Sequence, residues 1–134
     1  MHSANWCAQA LPYYSGNVIF RRILPRVPEH TRVFLKLSDW CGSALGIRVN
    51  SGKEIDLSAK HGELEITQWL SSGNNMLEIT VYGHRKNSFG PFYLREKQPF
   101  WNDSRAFRLV EKEQRNIVPC GLCGGVELLF TVQS

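Results

Sequence analysis

Cys120 and Cys123 stand in the stretch VPCGLCGGVELLF, a C-x-x-C followed by a Gly-Gly pair. Such a pair is a redox dithiol, half of a tetrahedral zinc site, or two small apolar side chains at a turn. Zinc takes four ligands, and the other cysteines, Cys7 and Cys41, are single rather than a second C-x-x-C. A thioredoxin-like pair opens a helix in a βαβ unit, whereas Gly124 and Gly125 lead straight into a strand-like run. The reading adopted is therefore two packed thiols, with a zinc-binding module using Cys120 and Cys123 kept as an alternative. Four cysteines in 134 residues do not make a disulfide-dense scaffold, so free thiols are expected.

Other chemistry-bearing residues are dispersed. His2, His30, His61 and His84 fall in loops or at loop edges. Asp56, Glu63 and Glu65 are oxygen donors of the kind calcium takes, but their spacing matches no standard loop and a solvated acidic face is the simpler reading. There is no G-x-S-x-G elbow, H-E-x-x-H, Walker loop or Rossmann glycine fingerprint, so no cofactor and no catalytic residue is assigned. The chain is expected to be noncatalytic by itself.

The aromatic residues are more suggestive: four Trp, seven Phe and four Tyr. Most must pack, because each ring buries a large area. Several sit beside polar residues in loop-like stretches: Trp40 in SDWCG, Phe89, Phe92 and Tyr93 in RKNSFGPFYL, and Trp101 in QPFWND. A pyranose stacks its C–H face on a ring while its hydroxyls seek polar partners. Trp40, Arg85, Asn87, Phe89, Tyr93, Trp101 and Asn102 are thus candidate carbohydrate contacts. The competing reading is that the rings plug the ends of a sandwich.

The elements that must position these groups have a period of two. NVIFRRIL (17–24) places Val18, Phe20 and Arg22 on one face, and RVFLKL (32–37) places Val33, Leu35 and Leu37 together. LGIRVN (45–50) aligns Leu45, Ile47 and Val49, and MLEITVYG (76–83) aligns Leu77, Ile79 and Val81. AFRLVEK (106–112) and GVELLFTV (125–132) complete the set, with Val126, Leu128 and Phe130 facing the sheet interior. Short β-branched runs separated by Gly, Pro, Asn, Asp and Ser predict antiparallel strands of a sandwich or barrel. VNSGKEI (49–55) predicts a hairpin, with Asn50 and Gly52 suited to positive φ. One short helical turn is expected near 67–71, capped by Thr67 and ended at Gly73 or Asn74. Arg22, if buried on its apolar face, would need a partner.

The length suits one β-sandwich domain over 1–134. Hydrophobic content of 43% and charged content of 21% are those of a folded globular chain. No apolar run approaches the ~18–20 residues that span a bilayer, and MHSANWCAQALPYY has neither the basic nor the apolar region of a signal peptide. The net charge of +4 arises wholly between Arg85 and Arg115, where eight Lys/Arg face four acids. Mixed signs there read as a solvated face, with no nucleic-acid signature, so neither a nucleic-acid nor a membrane partner is expected.

The order of the motifs resembles the galactose-binding-like jelly-roll domains attached to large bacterial glycoside hydrolases, including the sugar-binding domain of the family-2 type. Tyr14, Gly16, Phe20 and Arg22 match its first element, with Phe for the usual Tyr. Val49, Asn50 and Lys53 match a strand ending in V-N-G-K, with Ser51 inserted. Glu65, Ile66, Thr67, Leu70, Gly73, Asn75, Leu77 and Ile79 match D-I-T-x-x-L-x-x-G-x-N-x-L-x-I, with Glu for Asp. HRKNSFGPFYL (84–94) is similar to an R-N-x-x-G-P-x-H loop, with Tyr93 for the usual His. Val118, Pro119, Gly121, Leu122, Gly124, Val126 and Leu128 match a closing V-P-x-G-L-x-G-x-V-x-L.

The resemblance spans about Leu11 to Phe130. It implies an all-β, galactose-binding-like jelly-roll β-sandwich, expected as a C-terminal module or fragment of a longer glycosidase-like chain. The implied role is a noncatalytic carbohydrate-binding or accessory module. Its partners would be a glycan or sugar ligand and a neighbouring catalytic domain of the same polypeptide. The alternative is a purely structural sandwich supporting that domain. In the related pattern the positions of Cys120 and Cys123 are ordinary apolar sites.

Overall fold

The computed structural model describes residues 4–57, 61–89 and 117–132. They form an all-β sandwich. β2 (Asn17–Leu24), β7 (Asn75–Tyr82), β4 (Ala44–Val49) and β5 (Ile55–Leu57) make a four-stranded sheet in that spatial order. β6 (His61–Glu65), β3 (Thr31–Ser38) and β9 (Val126–Val132) make a three-stranded sheet, and β1 (Ala4–Asn5) pairs with β8 (Gly121–Leu122) as a short ribbon. Every strand pairing among them is antiparallel.

The alternation that defines the strands also builds the core. Leu45, Ile47, Val49, Leu77, Ile79 and Val81 are buried on the inner face of the larger sheet. Val33, Leu35 and Leu37 are buried on the smaller one, and all nine belong to one apolar cluster. Each such side chain contributes roughly 1.5–3 kcal/mol relative to exposure. A register slip of one residue would turn this set to water, so the pattern specifies the pairing. β9 is less sheltered: Val126 and Leu128 pack against the core, whereas Phe130 is exposed. The run AFRLVEK (106–112) lies outside the described residues.

The hairpin between β4 and β5 forms where expected, but Asn50, not Gly52, takes the positive φ, at 55°. Asn tolerates this region because its short polar side chain bonds locally. Thr67 opens a 3-10 turn, Thr67–Trp69, without capping it. Its hydroxyl instead accepts the Val33 N–H at 2.9 Å, tying the turn to β3, and the turn closes at Leu70 rather than Gly73. Two further single turns form, Trp6–Ala8 and α1 (Lys86–Phe89). The Asn5 side chain caps the first through the Cys7 N–H.

The first residue of β8 needs to be glycine. Gly121 has φ 130°, and a Cβ there would collide with the Ala4 carbonyl of its partner strand. Pro25 and Pro28 occupy the β2–β3 connection, outside the ladders.

Candidate ligand-binding face

The candidate residues reach different fates. Trp40 lies in the β3–β4 connection with 4% exposure and belongs to the core. Its ring faces are covered, so it is a packing residue and not a sugar platform. Asn87 is also buried: its Nδ2 donates to the Val118 carbonyl and its Oδ1 accepts the Val118 N–H, both at 2.8 Å. Nδ2 also reaches the Cys7 sulfur at 3.2 Å. The side chain clamps the backbone of one residue, Val118, on both its N–H and its carbonyl, and is spent on structure. Tyr93, Trp101 and Asn102 lie outside the described residues.

Arg85 and Phe89 are presented outward. The Arg85 carbonyl accepts the N–H groups of Ser88 (3.1 Å) and Phe89 (2.9 Å), closing the helical turn that carries them. Phe89 is 70% exposed and Arg85 is exposed. The Ser88 hydroxyl donates to the Tyr13 carbonyl at 2.7 Å, fastening this turn to the loop that precedes β2. Tyr13 and Tyr14 are both exposed there. Tyr14 is anchored: its hydroxyl donates to Asn17 O at 3.1 Å, its carbonyl accepts Trp6 Nε1–H at 3.2 Å, and its ring meets Trp6 edge-on at 6.2 Å. Gly16 makes room for that ring, since a Cβ would run into it. Burial lowers the affinity of the neighbouring Lys86 ammonium for its proton.

This end of the sandwich therefore carries exposed aromatic residues from the loop before β2 and from α1, with exposed Arg85 just ahead of that turn. Sequence reasoning selected Phe89 and Arg85 and missed Tyr13. The adjacent tyrosines just ahead of the first long strand were the available signal.

The carboxylates weighed as calcium donors, and read instead as a solvated face, are separated. Asp56 is on β5 of one sheet and Glu63 and Glu65 are on β6 of the other. Arg32 takes both oxygens of Glu65, at 2.5 and 2.9 Å, and holds its carboxyl below the usual carboxylate range. Glu54 and Glu78 share Arg48, and Glu78 also pairs with Arg21 at 2.5 Å. Among the described residues no group of three or more His, Cys, Asp or Glu is placed to hold a metal ion, which leaves the zinc alternative without a ligand set there. Cys120 is a core residue and Cys123 a half-buried turn residue.

Elsewhere a concavity of about 710 Å³ opens between the β2 edge of the larger sheet and the β9 edge of the smaller one. Phe20, Leu24 and Ile79 line one wall, and Leu122, Val126 and Leu128 the other. Arg22 also lines it; being exposed, it needs no buried partner.

Neither a protein-family model nor a curated protein matches the chain.

Proposed function

We propose that the chain is a noncatalytic carbohydrate-binding or accessory module of a glycoside hydrolase-like protein, with a galactose-binding-like jelly-roll topology. The observation that carries the binding role is the Ser88–Tyr13 hydrogen bond, which brings exposed Phe89, exposed Tyr13 and Arg85 to one end. Rings give a sugar its stacking surface, and a guanidinium gives its hydroxyls a planar donor. The motif order supports the family reading. Of its matched residues, Asn50 and Asn75 bond to backbone and to each other and Thr67 bonds to the Val33 backbone, so they bear on fold rather than on ligand.

The test is retention on a panel of immobilised polysaccharides and a glycan array. Retention on at least one glycan is expected. It should weaken roughly fivefold in Phe89→Ala with the unfolding midpoint unchanged, and by a similar factor in Tyr13→Ala, since one stacking contact is worth on the order of 1 kcal/mol. No retention on any glycan, with no catalytic domain encoded beside the chain, overturns the proposal.

A specific feature favours the second reading, a structural sandwich supporting a catalytic neighbour. Ile23 and Met76 are paired in the β2–β7 register and are 65% and 42% exposed, with Ile19, 49% exposed, on the same strand. That outward apolar strip suits a domain–domain contact. Ile23→Glu would then weaken association with the neighbour and leave glycan retention untouched.

A further inference from the structure

Two cysteines far apart in the chain, Cys41 and Cys123, lie on segments that are paired through their backbones. Cys41 and Gly121 exchange both backbone hydrogen bonds, each at 2.8 Å. The same two segments are bonded again on the far side of the pair. Gly124 N–H donates to Asp39 O at 2.6 Å, and Ser38 N–H donates to Gly125 O at 3.1 Å. Gly121 presents no side chain opposite Cys41, so Cys123, two residues on along the same segment, is the diagonal neighbour. The Cys123 thiol donates to Gly121 O at 3.7 Å, and after burial Cys41 is among the neighbours that push its pKa up. Closing the ~2.05 Å bond of a disulfide requires these two adjoining segments to adjust toward each other.

The other two cysteines are committed elsewhere. The Cys7 thiol donates to Val118 O at 3.4 Å and accepts from Asn87, and Cys120 is 1% exposed. Cys123, by contrast, lines the cleft between the sheet edges, so a small reagent reaches it from solvent.

We propose that Cys41 and Cys123 form an oxidation site. In thiol–disulfide exchange with a small disulfide of the glutathione class, they close an intrachain disulfide joining the β3–β4 connection to the β8–β9 turn. In the first step one protein thiolate attacks a sulfur of the small disulfide, forming a mixed disulfide and expelling one small thiolate. In the second the other protein thiolate attacks the protein-side sulfur, forming the Cys41–Cys123 bond and expelling the second small thiolate. The protein loses two protons and two electrons, and the small disulfide becomes two thiols.

In either order Cys123 must give up its proton. Burial, Cys41, Asp39 and Cys120 together push it up to about 12. Closure is therefore slow at neutral pH and accelerates roughly tenfold per pH unit while Cys123 remains mostly protonated. The link closes a long chain segment, so the thermal midpoint should rise by roughly 10 °C.

The experiment treats the reduced, folded chain with glutathione disulfide between pH 7 and 9, then counts free thiols and maps non-reduced peptides. The expected result is a fall from four free thiols to two, one peptide joining Cys41 to Cys123, and a higher thermal midpoint. Four thiols persisting at pH 9, a stable mixed disulfide without closure, or a link between any other pair overturns the proposal. So does a Cys41–Cys123 link that forms only in urea, because the folded contact would then have no part in it.

Discussion

Asn50 Nδ2 donates to Asn75 Oδ1 at 3.0 Å, joining the turn after β4 to the first residue of β7. Around this bond the end of the larger sheet is sealed. Asn50 also donates to Trp69 O and accepts the Met76 N–H, both at 3.0 Å. Asn75 accepts the Ser71 N–H at 2.7 Å and donates to Ser71 O and Gly73 O. A buried amide that meets its donors and acceptors in this way substitutes for a regular ladder where the chain must turn.

Asn75→Ala should therefore cost about 2–4 kcal/mol, because several buried backbone groups lose their partners at once. Asn50→Ala should cost somewhat less, with an added penalty for alanine at positive φ. Urea titration of the two single variants and the double variant measures the coupling. Strict additivity would mean that the Asn50–Asn75 contact contributes nothing of its own.

Trp40→Ala should destabilise by about 3–5 kcal/mol and leave glycan retention of the remaining folded fraction unchanged. Phe89→Ala should do the reverse, since its ring is in water. Chemical denaturation beside retention assays separates the two roles, and a Trp40→Ala protein that folds normally but no longer binds would refute this assignment.

Alkali should destabilise the fold earlier than a chain with ordinary thiols. Cys7, Cys120 and Cys123 are all raised, chiefly by burial, and Cys123 reaches about 12. The folded state keeps these protons while the unfolded state releases them near pH ~8.5. The contribution is fully present below that pH and is lost as pH climbs toward about 12. Urea midpoints taken with reductant from pH 8 to 11 should fall less steeply in Cys123→Ala than in the parent; parallel profiles would contradict the assignment.

In acid the sign is opposite. Glu65, lowered mainly by its hydrogen bonds from Arg32, contributes stability above its unfolded value of ~4.3 and loses it as pH falls through its folded value. The pair is solvent-exposed, so the effect is small and screened by salt. Glu65→Gln should have a lower urea midpoint than the parent near neutrality, with the gap closing toward pH 3.

The all-β class and most of the inner face were legible in the chain. Leu77, Ile79 and Val81 alternate with Glu78 and Thr80, and a period of two on β-branched residues leaves one way to bury the apolar set. The thiols were legible too, because glycines behind Cys123 point to a turn and not a helix. The fates of Trp40, Asn87 and Thr67 were not. Nothing local tells whether a ring in SDWCG faces solvent or core. An asparagine that grips Val118, 31 positions away, reads the same as one awaiting a ligand.

The sequence by itself determined the strands and their faces, since these follow from periodicity. Only the tertiary structure decided which polar and aromatic side chains remain available. It joined Ser88 to Tyr13 across 75 positions and paired Cys41 with Gly121, two residues from Cys123. Such meetings depend on how two sheets close, and chain-distant contacts leave no period in the sequence to read.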